Sequence, residues 1–173
     1  MYLVCILFCD REKPLQLTRF SDIGIRLLMY LAVKPRETPP ATVAEVAAQF
    51  RVPRNHMVKV AGMLTKQGYI TSIRGRSGGI SLAQDPARIR IGTVLHLLEN
   101  KDEVIACEHL QCGLNCGCGF RGALKNALDA FYESLNQYSL ADVTTGAARN
   151  EIIRMQKSFD PSRIGFYTLT TQS

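Results

Sequence analysis

The apolar positions of this chain change period several times, and each change marks an element. Phe20, Ile23, Leu27, Leu28 and Leu31 recur at helical spacing up to Pro35, and either Thr18 or Ser21 is available to cap the start. After a loop over 35–40, Thr42 and Glu45 form a T-x-x-E capping box that predicts a short helix over 43–50. A break at Arg51-Val52-Pro53 leads to a second helix over 54–67, closed by Gly68, with Met57, Val60, Ala61 and Leu64 on its inward face. Helix, short turn and helix at this spacing fit a helix-turn-helix. Alternation then takes over: a strand over 69–74, a tight turn at Gly75-Arg-Ser-Gly-Gly79 and a return strand over 80–83 predict a β-hairpin wing. Gly78 and Gly79 supply the positive φ or the close backbone approach that such a tip needs.

A short amphipathic helix follows over 91–99. From Leu124 the apolar residues Leu124, Leu128, Phe131, Leu135 and Tyr138 step 4, 3, 4, 3, an a/d seam of a helix packed on another helix. That neighbour is either the same core or a second subunit; helix-turn-helix readers commonly act as two-fold dimers, which favours the second subunit. The fold class expected is mainly α with a small β-hairpin, a winged helix-turn-helix plus a long dimerisation helix. The organisation expected is an extension over 1–14, the DNA-binding domain over 15–100, a cysteine-rich loop over 101–122, a dimerisation helix region over 123–148 and a weakly periodic C-terminal tail over 149–173.

Charge sharpens this picture. The 173-residue chain carries a net charge of +6. Residues 51–90 hold eight of its Lys and Arg (Arg51, Arg54, Lys59, Lys66, Arg74, Arg76, Arg88, Arg90) against the single acid Asp85, so this stretch alone exceeds the whole-chain excess. A focused cationic patch attracts phosphates and releases counterions. Arg54, Asn55, His56 and Lys59 open the second helix of the motif, where Arg and Asn can read guanine and adenine edges in the major groove of double-stranded DNA. Arg74 and Arg76 sit at the wing tip. A basic helix followed at this interval by a basic glycine-rich hairpin is far more specific than either part.

Four cysteines, Cys107, Cys112, Cys116 and Cys118, crowd into one segment, and Cys107, Cys112 and Cys118 follow a C-x4-C-x5-C pattern. Gly113, Gly117, Gly119 and Gly122 leave little side chain there for a core, so the thiols point to ligation or redox chemistry. Spacing alone leaves the ligand set open: Cys116 and His109 are alternative donors. An iron–sulfur centre, a zinc site and a thiol switch are all compatible, although zinc sites usually show CxxC or HxxxH pairs. Cys5 and Cys9 read as incidental. The apolar start of the chain is too short to span a bilayer and lacks the pattern of a signal peptide, so a cytoplasmic protein with no membrane partner is expected. No paired carboxylates, nucleophile–base set or phosphate loop is visible, and Gly75–Gly79 lacks the Lys-Ser/Thr of a phosphate loop, so an enzyme is not expected.

Several strings resemble the NsrR/IscR family of winged-helix regulators: Leu15-Gln-Leu-Thr-Arg-Phe-Ser-Asp22, Val52-Pro-Arg-Asn-His-Met-Val-Lys59, Ile73-Arg-Gly-Arg-Ser-Gly-Gly-Ile-Ser-Leu82, Arg90-Ile-Gly92 and the three-cysteine pattern. The likeness runs from Leu15 to Val143, and the R-N-H-M-V-K element and the wing are most similar to the nitric-oxide-sensitive branch. The resemblance implies a homodimeric repressor on an inverted-repeat operator, with one [2Fe–2S] or [4Fe–4S] cluster per subunit and nitric oxide as the signal. It also implies Cys107, Cys112 and Cys118 as cluster ligands, with Asp22 of the partner subunit as the remaining one. Helix capping is the plain alternative for Asp22. An IscR-like regulator of iron or cluster supply, and a zinc or thiol-switched DNA-binding protein, are the competing readings. Family members begin with Met where this chain has Leu15, so residues 1–14 are expected to reflect a misplaced start codon.

Overall fold

Thr18 opens the fold. In this computed structural model, which describes residues 17–160 except Arg36, Arg76, Ser77 and the segment 101–117, the Thr18 hydroxyl oxygen accepts from the Ser21 amide and caps α1 (Arg19–Val33). Ser21 is the other candidate, and it lies buried inside the first turn with its hydroxyl 3.0 Å from that of Thr18. Ile23, Leu27, Leu28, Tyr30 and Leu31 turn into the core, each large aliphatic residue contributing about 1.5–3 kcal/mol when fully buried. Lys34 leaves the helix in extended backbone, as a residue ahead of proline must.

The capping box at α2 (Val43–Gln49) forms in both directions: Thr42 Oγ1 accepts from the Glu45 amide at 3.0 Å, and Glu45 Oε2 accepts from the Thr42 amide at 3.2 Å. Arg51 takes a left-handed φ of 52° to turn the chain, and α3 (Arg54–Lys66) starts behind Pro53. Its buried residues are Met57, Val60, Ala61 and Leu64, which pack on α1 and α2. Gly68, at φ +75°, then redirects the chain into β1 (Ile70–Ile73).

The hairpin pairs β1 with β2 (Gly79–Leu82) antiparallel, Ile70 opposite Leu82 and Ile73 opposite Gly79. Its positive φ falls at Gly75, at +113°, whereas Gly78 and Gly79 meet the need for close approach. A Cβ on Gly78 would strike the Ile73 carbonyl, and one on Gly79 would lie 2.6 Å from the Ala41 carbonyl. Ala41 also exchanges two backbone hydrogen bonds with Ile80, at 2.7 and 3.1 Å, adding a short bridge to the sheet's edge.

A 3-10 turn at Pro86–Arg88 leads into α4 (Ile91–Glu99), which ends on Asn100 in the left-handed region. Then comes α5 (Gly119–Asn136), which starts ahead of the seam residue Leu124, so Gly119 to Gly122 belong to the helix and not to the loop. Strong helix formers downstream carry its glycine-rich first turn, and the Gly122 amide donates to the Cys118 carbonyl at 3.3 Å. The helix region expected over 123–148 breaks after Asn136 and continues as α6 (Leu140–Val143).

The expected tail over 149–173 is likewise corrected in part, because α7 (Gly146–Ser158) is helical. Its Ala, Arg, Glu, Met, Gln and Lys content favours helix without a clean apolar stripe. Ile152 alone of its residues is buried, and Gln156 Nε2 donates to the Tyr30 carbonyl at 2.9 Å. Among the described residues, no helix is long and apolar enough to cross a membrane.

Candidate nucleic-acid interface and ligand positions

Burial of one face of α3 decides what the other presents. With Met57, Val60, Ala61 and Leu64 in the core, Arg54, Asn55, His56 and Lys59 are all exposed, as are Lys66 in its last turn and Arg74 at the end of β1. The first turn of α3 carries no acid. Among the described residues, Arg54, His56, Lys59 and Arg74 are not engaged in ion pairs. The Asn55 side-chain oxygen, Oδ1, accepts from the His56 amide at 2.9 Å, which steadies the helix start. This positive end of a helix dipole, surrounded by free cations, suits a phosphate-bearing partner. Arg76 lies outside the described residues.

The ligand candidates divide in the same way. Cys107, His109, Cys112 and Cys116 lie outside the described residues. Cys118 is a free, partly buried thiol at the N-cap of α5 and makes no side-chain capping bond. Asp22 stands in the first turn of α1 with its side chain 47% exposed, and its Oδ1 accepts from Arg26 Nε at 2.7 Å. Thr18 does the capping, so Asp22 is left with a first-turn position at the positive end of α1 and a surface ion pair, each worth about 0–1 kcal/mol.

Two features tie the start of α1 to the end of α4, where the cysteine-bearing segment begins. The Thr18 amide donates to Glu99 Oε1 at 2.7 Å. Gly24 lets Leu98 approach so closely that a Cβ there would lie 2.5 Å from Leu98 Cδ1. At its other end α1 is tied to α2, because buried Glu45 accepts from the Tyr30 hydroxyl at 2.8 Å and from Lys34 Nζ at 3.1 Å. Burial, followed by the hydrogen bond and charge of Glu45, pushes the Tyr30 hydroxyl well above the ordinary tyrosine range.

These links were not foreseen from the sequence. The T-x-x-E pattern identified Glu45 as a cap, but a cap uses one carboxylate oxygen, and only the fold brings the second to Tyr30. Nothing local marks Glu99 as the partner of a residue at the other end of the domain.

The seam helix α5 packs on α4 and buries only Tyr132 among its residues. A Cβ on Gly92 would run into the Tyr132 carbonyl, and Asn136 Oδ1 accepts from the Thr93 amide at 2.7 Å, so the two helices meet at close range. Phe120, Phe131 and Tyr138 are left exposed and Leu124, Leu128 and Leu135 only partly covered.

Known proteins share both the sequence and this architecture. Residues 17–146 match the model of the Rrf2 family, described as iron-dependent transcriptional regulator. The HTH-type transcriptional regulator NsrR of Shouchella clausii is 40% identical over 132 residues, 75% of this chain and 88% of that protein. NsrR of Halalkalibacterium halodurans is also 40% identical, over 134 residues, 76% of this chain and 91% of the relative. Among solved structures, CymR, the global cysteine regulator of B. subtilis, has a TM-score of 0.59 at 24% identity, covering 75% of this chain and 96% of that one. IscR of T. potens has a TM-score of 0.55 at 18% identity over 75% of this chain and 86% of its own. These two likenesses speak for the winged-helix fold; the family match and the two relatives at 40% identity speak for descent, and the chain belongs to the Rrf2 family of transcriptional regulators.

Proposed function

We propose that this protein is an iron–sulfur-dependent transcriptional repressor that binds an inverted-repeat operator as a homodimer and leaves it in response to nitric oxide. The observation that carries the reading is the double attachment of α1. One end carries an exposed carboxylate with no capping duty, and the other is bonded to the helix-turn-helix through Glu45. The likeness to NsrR proteins supports the signal.

Arg54 and Asn55 are assigned to base edges, His56 and Lys59 to bases or phosphates beside them, and Arg74 and Arg76 to the flanking backbone. Cys107, Cys112 and Cys118, with Asp22 of the partner subunit, would hold a [2Fe–2S] or [4Fe–4S] cluster; Cys116 and His109 are the reserve donors. Thiols with one accessible carboxylate fit the donor chemistry of such a group. When bound, the cluster supplies the iron with which nitric oxide reacts. Asp22 held by the partner fixes the N-terminal end of α1, and α1 carries α2 and α3 with it. Asp22 released leaves α1 anchored only within its own subunit, and the two copies of α3 lose the separation that matches successive major grooves. A loss of about 3–4 kcal/mol lowers affinity a few hundred-fold. The a/d seam of α5 is assigned to the dimer contact.

Anaerobic purification, followed by an absorption spectrum with iron and sulfide analysis before and after nitric oxide, tests this. A brown protein with stoichiometric sulfide that loses colour and operator binding together is the expected result. A brown protein indifferent to nitric oxide points to sensing of iron or cluster supply. A colourless protein containing zinc or free thiols overturns the iron–sulfur reading.

A further inference from the structure

Gly62 lies in the middle of α3, and nothing inside the protein calls for it. A Cβ built there meets no atom within 4 Å, and its backbone is ordinary helix. The glycines at 24 and 92, by contrast, are each explained by a close neighbour, Leu98 and Tyr132, and Gly119 and Gly122, as open as Gly62, stand at the start of α5 and not in a helix interior. A glycine inside a helix is disfavoured against alanine, so an unexplained one on the surface points outward, to something that comes close.

Helical geometry says where it faces. At 100° per residue Asn55, Lys59, Gly62 and Lys66 share one line along α3, diametrically opposite the buried Leu64 and flanked by Val58. Val58 is itself 50% exposed, a branched apolar side chain in solvent on a helix otherwise sorted into apolar and polar faces. One surface therefore combines free cations, a missing side chain and an isolated pair of methyl groups.

The cations Arg54, Lys59 and Lys66 call for a polyanion, and in the major groove of duplex DNA the apolar feature is the 5-methyl group of thymine. We propose that Gly62 lets α3 lie flat along the groove, and that Val58 reads a thymine methyl, making these two residues determinants of operator sequence. A side chain at position 62 would lift the C-terminal half of the helix away from the bases. Asn55 and Lys59 would then contact the groove at a tilt, and Val58 would lose its methyl partner. This inference rests on the operator-binding reading above.

The test uses the full chain, purified anaerobically, and a duplex enriched by it from a randomised pool. Gly62→Ala should raise the thermal midpoint by about 3 °C, because the substitution favours helix and meets nothing in the protein. The same variant should bind the enriched duplex about tenfold or more weakly, as a methyl forced into a close contact does. Val58→Ala should weaken binding about fourfold, the worth of one lost methyl contact. Replacing the contacted thymine by uracil should weaken wild-type binding similarly and leave Val58→Ala binding unchanged. A Gly62→Ala protein that binds as tightly as wild type overturns the close approach. A Val58→Ala protein that still distinguishes thymine from uracil overturns the methyl contact. If wild type enriches no duplex, the operator-binding reading fails, and this inference with it.

Discussion

The Tyr30 hydroxyl donates to the Glu45 carboxylate at 2.8 Å from a fully buried position, fastening α1 to α2 inside the core. Glu45 also accepts from Lys34 Nζ and from the Thr42 amide, so one carboxylate serves three donors. Tyr30→Phe removes one donor and leaves the carboxylate satisfied by two, and should cost about 1–2 kcal/mol in urea unfolding. Glu45→Ala strands the Tyr30 hydroxyl and breaks the capping box, and should cost about 3 kcal/mol or more; Glu45→Gln, which keeps one of the two acceptor oxygens, should cost less. The Tyr30 hydroxyl is held above its ordinary range. Its contribution is therefore complete below the unfolded tyrosine value and is lost only as pH rises through the folded one. An alkaline titration should show a phenolate step that coincides with unfolding and is smaller in Tyr30→Phe, Tyr69 keeping its share because burial raises it too.

Thr18 and Asp22 separate stability from sensing. Thr18→Ala should lower stability by about 1 kcal/mol through loss of the cap. Asp22→Ala removes an exposed ion pair and a first-turn carboxylate but no cap, and should cost no more than about 1 kcal/mol. Under the function proposed, Asp22→Ala and Cys112→Ala should nonetheless lose cluster-dependent operator binding. Thermal melts and anaerobic operator titrations on the same preparations distinguish the two effects. Full nitric oxide responsiveness in Cys112→Ala would exclude that residue as a ligand.

Acid should act through Asp142. Hydrogen bonds from the Ser139 hydroxyl and amide, with the Arg90 charge adding to them, outweigh desolvation and hold its carboxyl below the usual carboxylate range. A depressed carboxyl contributes its stability above the unfolded value and loses it as pH falls through the folded one. The gap in thermal midpoint between wild type and Asp142→Ala should thus be full at neutral pH and close below about pH 4. A gap that persists unchanged in acid would assign the effect to packing.

Two glycines make a paired test of how α4 is seated. At Gly92 an added Cβ meets the Tyr132 carbonyl, which cannot move without shifting α5, and lies 2.7 Å from Asn136 Oδ1. Gly24 faces the flexible end of Leu98. Gly92→Ala should cost about 2–3 kcal/mol and Gly24→Ala about 1 kcal/mol, measured by chemical denaturation. If α5 is the dimer helix, Gly92→Ala should also weaken self-association in sedimentation equilibrium, as should Phe131→Asp, which leaves the monomer fold intact because Phe131 is exposed.

Elements defined by local chemistry were legible in the chain before any coordinates. The Thr42 cap, the inward face from Met57 to Leu64, the glycine-rich turn and the helix from Ile91 to Glu99 all follow from periodicity and capping within a few residues. Where helix propensity and apolar pattern disagreed, the pattern misled: α7 has good helix formers but one buried residue, and the first turn of α5 is rich in glycine. Tertiary bonds were hidden for a different reason. Tyr30 to Glu45 and Thr18 to Glu99 join residues far apart in the chain, and neither side chain advertises its partner. The outward residues of α3 are identifiable from the sequence as a set, whereas the open surroundings of Gly62 are a property of the fold alone.

The backbone bridge between Ala41 and Ile80 bears on what kind of DNA this molecule can accept. It joins the hairpin to the residue before the Thr42 cap, so the wing cannot swing independently of the helices it flanks. Under the function proposed, each subunit would grip its half-site like a caliper with a preset jaw. The distance between α3 and the hairpin is built into the protein, so on that reading a half-site stretched by one base pair would have to give up one contact or the other.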